Sequence, residues 1–300
     1  VHKDIVNKGV GAMSMDVKKN SGHEITRKEE LNSGDYLIEV RAPLVAAKFM
    51  PGNFVIFLLH EKGERVPMSV QKVEGDRITV FFKKLGKTSR ELDSWHVGDC
   101  INSVVGPLGN AIELKKYGNV VFASDLVCGH AENYAAVKGL KGAGNHVISM
   151  QSFPTKDDVY PRKELSTMAD EYFLTTADGS QGIKGHYTDV LKGLLDENKV
   201  DMVFAGGDIP SLGKLSELTK RYNVRTMVTL RQIMIDGTGM CGACRVFIDG
   251  EMKLTCIDGP MFDGHKVNFE EVIARLGMFK EEESVAMEDY NSRGVCHERK

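Results

Sequence analysis

A chain of 300 residues is long enough for two or three domains, each with a real core. Its 39 basic and 42 acidic side chains are mixed along the length to a net charge of −3, which leaves no electrostatic footprint for nucleic acid or an anionic membrane and favours small neutral substrates or protein partners. No apolar run approaches the roughly 20 residues of a bilayer span, and the opening VHKDIVNKGVGAMSMDVKK lacks the apolar centre of a signal peptide, so a soluble, cytoplasmic protein is expected.

Residues 1–24 are polar, Lys-rich and unpatterned, and read as a loosely held extension. Across 25–112 short β-rich runs recur: DYLIEVRAP (35–43), NFVIFLL (53–59), VPMSVQKV (66–73), RITVFFKK (77–84) and DCINSVVGP (99–107). Gly, Pro and Asn separate them, a rhythm that predicts a small antiparallel barrel. A helix is expected at TSRELDSW (88–95), with Thr88 or Ser89 as its N-cap.

From 113 to 230 the pattern changes. The apolar strand NVVFAS (119–124) leads into helical HAENYAAVKGLKGAG, strand HVISMQSF, helical PRKELSTMADEY and strand FLTTA; helical YTDVLKGLLDE, strand VDMVFAG, helical SLGKLSELTKRY and strand VRTMVTL follow. Such alternation predicts a doubly wound parallel sheet with right-handed crossovers. The last stretch, 231–300, holds a cysteine loop, a hairpin with Asp249-Gly250 at its turn, the helix NFEEVIARLGMF and a tail.

Three of the six cysteines fall in DGTGMCGACRVFIDGEMKLTC (236–256), an arrangement that suits reduced thiolates on a metal better than a disulfide scaffold. The spacing is Cys241-x2-Cys244-x11-Cys256, and Asp236 lies five positions before Cys241, where a plant-type [2Fe-2S] loop has its first cysteine. A carboxylate is therefore a candidate fourth ligand. Gly237, Gly239 and Gly242 let the backbone wrap closely and turn N–H groups toward sulfur. Spacing alone leaves open a tetrahedral zinc site, although structural zinc prefers cysteine and histidine, and also unligated thiols.

The segments IDGTGMCGACRV and CIDGPMFDGHKVNFEEVIARLGMFKEEE resemble the C-terminal lobe of the small subunit of NADH-dependent reduced ferredoxin:NADP oxidoreductase, an electron-bifurcating transhydrogenase, and of the related sulfide dehydrogenase subunit. The resemblance spans about residues 25–283. It implies a [2Fe-2S] cluster ligated by Asp236, Cys241, Cys244 and Cys256. It also implies an α/β plus β, ferredoxin reductase-like fold: an antiparallel FAD barrel (25–112), a doubly wound NAD(P)-binding-like domain (113–230) and a small cluster lobe (231–300). The electron-transfer subunit of dihydroorotate dehydrogenase is similar in domain order but carries four cysteines, so Asp236 and DGPMFDGH favour the first family.

RVPMS (65–69) resembles the flavin motif of the ferredoxin reductase superfamily, and on its own also reads as a strand with a surface arginine. Arg65 would oppose the pyrophosphate and the Ser69 hydroxyl would stand near the reactive flavin nitrogen, with Pro67 and Met68 between them. Gly86, Thr88 and Ser89 open a helix whose amides suit phosphate. By resemblance the flavin is FAD rather than FMN.

The nicotinamide site departs from the family. Where the Gly-rich turn GGGxGxAP is expected the chain has FASDLVCGHAENY, matching at Gly129 and Ala131 only. Asp125, Leu126 and Val127 stand at glycine positions, and Glu132 replaces the proline. Asp178, Gly179, Ser180, Gly182 and Gly185 keep a D-G-S-x-G-x-x-G pattern, which as bare turn chemistry needs no ligand; GGDIPSL (206–212) keeps Gly206 and Pro210 loosely. Binding of NAD(H) or NADP(H) is left open between weak retention and a paralogue whose flavin exchanges electrons with a protein partner. Cys128 reads as a buried structural cysteine rather than a thiol near the flavin, the histidines 96, 130, 186 and 265 as surface or capping residues, and Cys296-His297 as tail.

The function expected is electron transfer between FAD and the [2Fe-2S] cluster. The resemblance implies as partner a larger flavoprotein with its own FAD and [4Fe-4S] clusters, similar to the small subunit of glutamate synthase; ferredoxin is a second candidate. The competing class is a non-catalytic assembly or regulatory subunit with a metal-stabilised lobe and a lost nucleotide site.

Overall fold

The computed structural model describes residues 22–32, 34–160 and 164–293. The first sheet contains β1 (His23–Asn32), β2 (Asp35–Arg41), β3 (Phe54–Leu58), β4 (Arg65–Glu74), β5 (Arg77–Lys83), β6 (Cys100–Ile101) and β7 (Ser103–Leu108), with short helices α1 (Pro43–Ala46) and α2 (Lys87–Asp93) between strands. Its order is β6-β1-β2-β5-β4-β3-β7, antiparallel throughout. The two edge strands, β6 and β7, are separated in the chain by Asn102 alone, so the sheet must curl until its edges nearly meet. Ile38, Val55, Phe57, Val70, Val80 and Phe82 fill the interior. The outer face is apolar too: Phe54 and Ile56 pack toward the cysteine loop, and Leu37 and Phe81 toward Phe153 and Tyr160.

The second sheet contains β8 (Asn119–Ser124), β9 (His146–Phe153), β10 (Glu171–Thr176), β11 (Ile183–Lys184), β12 (Met202–Gly206), β13 (Arg225–Thr229) and, from the C-terminal stretch, β16 (Met261–Asp263). The order is β11-β10-β9-β8-β12-β13-β16, parallel except that β16 runs antiparallel to β13. The crossover helices are α3 (Leu126–Gly142), α4 (Glu164–Met168), α5 (Tyr187–Asp196) and α6 (Ile209–Arg221). Side-chain alternation along β8 assigns its two faces: Val120 and Phe122 meet Val137 and Leu140 of α3, whereas Val121 and Ala123 share a core with Leu191 of α5 and Leu212 of α6. Chain direction across the sheet reverses between β8 and β12, which opens a crevice at their C-terminal ends.

The remaining elements are the hairpin β14 (Arg245–Ile248) and β15 (Glu251–Leu254), then α7 (Phe269–Leu276) and α8 (Lys280–Arg293). Asp249 and Gly250 both have positive φ (54° and 78°), the two-residue turn that the Asp-Gly pair signals. Because β16 joins the second sheet and α7 packs on α6, the cysteine lobe is stitched to the nucleotide-type sheet.

The structure differs from expectation at several points. β1 begins at His23, inside the stretch read as an extension; it is polar, with only Ile25 and Leu31 buried, and register shifts break its alternation. The N-cap of α2 is Gly86, not Thr88 or Ser89. α4 is shorter than its pattern, ending before Asp170, whose carboxylate accepts the Val147 amide (2.9 Å). α8 occupies part of the expected tail and packs near α2. Residues 1–21 and the Cys296-His297 pair lie outside the described residues. Among the described residues no helix is long and apolar enough to cross a membrane.

Candidate functional site

A cavity of about 360 Å³ opens between the barrel and the second sheet. Phe54, Pro67, Met68, Ser69, Phe81 and Phe82 form its barrel wall, and Val127, Cys128 and Glu132 of α3 face them. A second cavity of about 530 Å³ shares Val66, Pro67, Gln232 and Met234 with the first and extends to Arg65. Together they suit an elongated group with a flat apolar end, and at the far end Arg65 stands beside Glu64 and Glu283. Of the flavin residues expected from sequence, Pro67, Met68, Ser69 and Ser89 line the first cavity and Arg65 the second. Gly86 and Thr88 line neither: the Thr88 hydroxyl donates to Glu64, and the Gly86 carbonyl accepts from Ser89 Oγ (2.9 Å).

Gly129 lies within α3 against β12, where a Cβ would stand 2.1 Å from the Gly206 carbonyl oxygen, so close helix–strand packing accounts for this glycine. Asp178, Gly179 and Ser180 form an exposed turn beyond β10 and line neither cavity. Asp178 Oδ1 accepts from the Ser180 amide (3.0 Å) and hydroxyl (2.6 Å), bonds that hold this carboxyl below its usual range. Glu132 accepts from Ser69 Oγ (2.8 Å), and burial pushes its carboxyl up. Cys128 is half-buried on the cavity wall.

His186 caps α5 as expected, but His130 is neither a surface nor a capping residue. It is buried in α3, 4.4 Å from the Phe153 ring, and its Nδ1 accepts from Gln151 Nε2 (3.1 Å); burial lowers its pKa to about 3. The helical period gave no sign of this, because the partners Gln151 and Phe153 come from β9.

In the cysteine loop, Asp236 Oδ1 accepts the Thr238 amide and Oδ2 the Cys241 amide, each at 2.8 Å, and these bonds lower its pKa. Gly237, Gly239 and Gly242 hold positive φ of 77°, 84° and 66°. Gly237 also sits so near the barrel that a Cβ would meet Ile56 Cδ1 at 2.5 Å. The exposed Cys241 sulfur accepts from the Ala243 amide (3.5 Å). Cys244 and Cys256 are buried with their sulfurs 3.2 Å apart; burial and the neighbouring thiol push Cys256 up to about 12.

Among the described residues no three His, Cys, Asp or Glu side chains yet converge on one point. Two thiols meet, while Asp236 faces backbone amides and Cys241 faces solvent. The donor set nevertheless fits a two-iron cluster better than zinc: three soft sulfurs and one oxygen lie on a glycine loop with an amide already directed at sulfur. Cys244 and Cys256 pack in one apolar cluster with Phe54, Ile56 and Met234, and Phe54 and Met234 are also walls of the cavity. These wall residues were missed from sequence. The signal for Phe54 was FVIFL, a run apolar on both faces in a barrel where one face commonly meets water; Met234 had none.

Comparison with known proteins agrees with this arrangement. Residues 231–268 match the iron-sulfur cluster binding domain of dihydroorotate dehydrogenase B. A Thermotoga maritima protein described as a dihydroorotate dehydrogenase B (NAD(+)) electron transfer subunit homolog is 38% identical over 270 residues, covering 89% of this chain and 95% of that one. The solved structure of an NADH-dependent reduced ferredoxin-NADP oxidoreductase, studied for flavin-based electron bifurcation, contains a chain 36% identical with a TM-score of 0.85; the match covers 91% of this chain and 99% of that one. A ferredoxin NADP+ reductase from Neisseria gonorrhoeae, 13% identical over 68% of this chain and 89% of its own, shares the fold with a TM-score of 0.53. The chain therefore belongs to the family of dihydroorotate dehydrogenase B electron transfer subunits and their homologues, oxidoreductase subunits with a ferredoxin reductase-like fold and a C-terminal iron-sulfur binding domain.

Proposed function

We propose that the chain holds FAD in the two joined cavities and a [2Fe-2S] cluster on the 236–256 loop, and carries electrons between them on behalf of a larger catalytic subunit. On this reading residues 25–112, with the start of β1, form the flavin unit, 113–230 the nucleotide-binding-like unit and 231–300 the cluster lobe. Asp236, Cys241, Cys244 and Cys256 are the ligands. A bound flavin supplies the conversion between two-electron and one-electron chemistry. Arg65 would oppose the charge of its pyrophosphate, Ser69, whose proton goes to Glu132, would face the ring with its oxygen, and Phe54 and Met234 would keep water from the space between the two groups. The Ala243 amide, directed at the Cys241 sulfur, stabilises charge there. The partner suggested by sequence resemblance is a flavoprotein with its own FAD and [4Fe-4S] clusters.

The observation that carries this reading is the shared wall: Phe54 and Met234 line the cavity on one side and touch the cluster of Cys244 and Cys256 on the other. Anaerobic purification of the full chain, followed by visible spectroscopy, identification of the released flavin and metal analysis, tests it. FAD together with iron and acid-labile sulfide in equal amounts is expected. Zinc without iron, or a colourless protein, would refute the assignment.

A further inference from the structure

We propose that the dinucleotide crevice between β8 and β12 is filled by this chain's own side chains and takes no nicotinamide nucleotide. In a doubly wound sheet a dinucleotide lies at the point where strand order reverses, with phosphate on the amides of a helix N-terminus and backbone bare of Cβ atoms beneath it. Here that point is the end of β8, with Asp125, facing the end of β12, with Gly206, Gly207 and Asp208.

Asp125 is the N-cap residue of α3 and 8% exposed, and its carboxylate turns away from the α3 amides to bridge α6 and α5 across the mouth of the crevice. Its Oδ1 accepts from the Asp208 amide at the start of α6 (2.6 Å), and its Oδ2 pairs with Nε2 of His186, the cap of α5 (3.2 Å). His186 Nδ1 lies on the Thr188 amide side, which leaves Nε2 to donate. Gly207 makes room for this carboxylate rather than for a ligand, since a Cβ there would fall 1.8 Å from Asp125 Oδ1.

A second carboxyl closes the route to the flavin cavity. Glu132 Oε2 is buried without a hydrogen-bond partner and lies against Gly206, where a Cβ would meet it at 2.3 Å. Its Oε1 is held by Ser69 of the barrel, so the side chain spans the path a nicotinamide ring would take from crevice to flavin. The Arg231 guanidinium fills the space beside it and donates to the Gly207 carbonyl (2.5 Å). With Asp125 and Asp208 against this one arginine, the crevice offers a pyrophosphate no net positive charge. The backbone still has the shape of a glycine turn, because Leu126 takes φ +55°, but its Cβ positions are occupied.

Calorimetric titration of the purified, flavin-loaded chain with NAD+, NADP+, NADH and NADPH tests this. None should bind more tightly than about 1 mM. A D125G/E132A variant, checked for fold by circular dichroism, should gain at least tenfold in affinity for one of them. Micromolar binding to the unaltered chain overturns the proposal whatever the variant does. A folded D125G/E132A chain that gains nothing overturns the assignment of exclusion to these two carboxyls, and E132A alone serves as the second variant if the double substitution does not fold.

Discussion

The loop around Asp236 and the turn around Asp125 border the same cavity from different sides, and in both an aspartate accepts backbone amides. They differ in where those amides come from. Asp236 bonds to residues two and five positions on, inside its own loop, and glycines hold the left-handed conformations. Asp125 bonds to an amide 83 residues away and a ring 61 residues away, and a leucine takes the left-handed conformation. A loop organised by its own backbone remains open on one side and can receive a group. A turn organised by distant elements is part of the packing and has no side left open.

The largest effect expected from this contrast is on metal content. Cys256→Ala removes one of the two buried sulfurs at the base of the open loop, so iron and labile sulfide should fall to near zero on analysis while bound flavin is retained. Cys128→Ala, on the cavity wall but away from the loop, should leave iron unchanged. Iron surviving Cys256→Ala at its original level would remove the loop from the cluster and break the comparison.

Next comes packing. Gly129→Ala drives a Cβ onto the Gly206 carbonyl oxygen, backbone against backbone, and should cost about 3 kcal/mol in urea unfolding. Gly242→Ala meets nothing within 4 Å and pays only for its positive φ, about 1–2 kcal/mol. The reverse ranking would mean that the crevice is the looser of the two regions.

The dryness of the interior between α3 and β9 has a pH signature. His130, one turn into α3, takes a proton in the folded chain only near pH 3, whereas the unfolded imidazole does so near its ordinary 6.5. Between these values the unfolded state binds more protons, so stability is fully present above pH 6.5 and is lost as pH falls toward 3, by at most about 1.4 kcal/mol per pH unit. Unfolding free energies of the native chain and of His130→Gln, measured between pH 7 and pH 5, should converge as pH drops. Parallel curves would show that the ring is hydrated.

The same contrast explains what could be read in advance. The doubly wound sheet was legible because β8 and β12 are apolar on both faces and strands alternate with helix-length segments, and the hairpin turn because Asp249-Gly250 favours positive φ by itself. The cysteine loop was legible as a candidate metal site because the spacing of Asp236, Cys241 and Cys244 is local. β1 was not, since its polar sequence is held by pairing to β2 and β6 rather than by burial. Nor was the interior position of His130, whose neighbours in space come from β9, or the role of Glu132, whose partner Ser69 lies 63 residues earlier. The altered turn could be seen as a loss of glycine, but not as a set of bonds that closes it.

The smallest predicted effect tests whether that turn really has a glycine's backbone. Leu126 sits at φ +55° at the first position of α3 with 44% of its surface exposed. A non-glycine residue there carries about 1–2 kcal/mol of steric strain. Leu126→Gly relieves it but loses about 0.5–1 kcal/mol to the greater freedom of the unfolded chain, and little burial is lost with a half-exposed side chain. The net change should lie within about 0.5 kcal/mol of zero. Leu126→Ala retains the strain and sheds the contacts that remain, so glycine should be the more stable of the two by up to about 1 kcal/mol. Within an ordinary helix the order is the opposite, alanine above glycine. An inverted order in chemical unfolding therefore identifies a left-handed backbone with side chains built onto it, whereas the ordinary order would mean that residues 124–129 have no glycine-turn geometry to compare with the loop at 236–244.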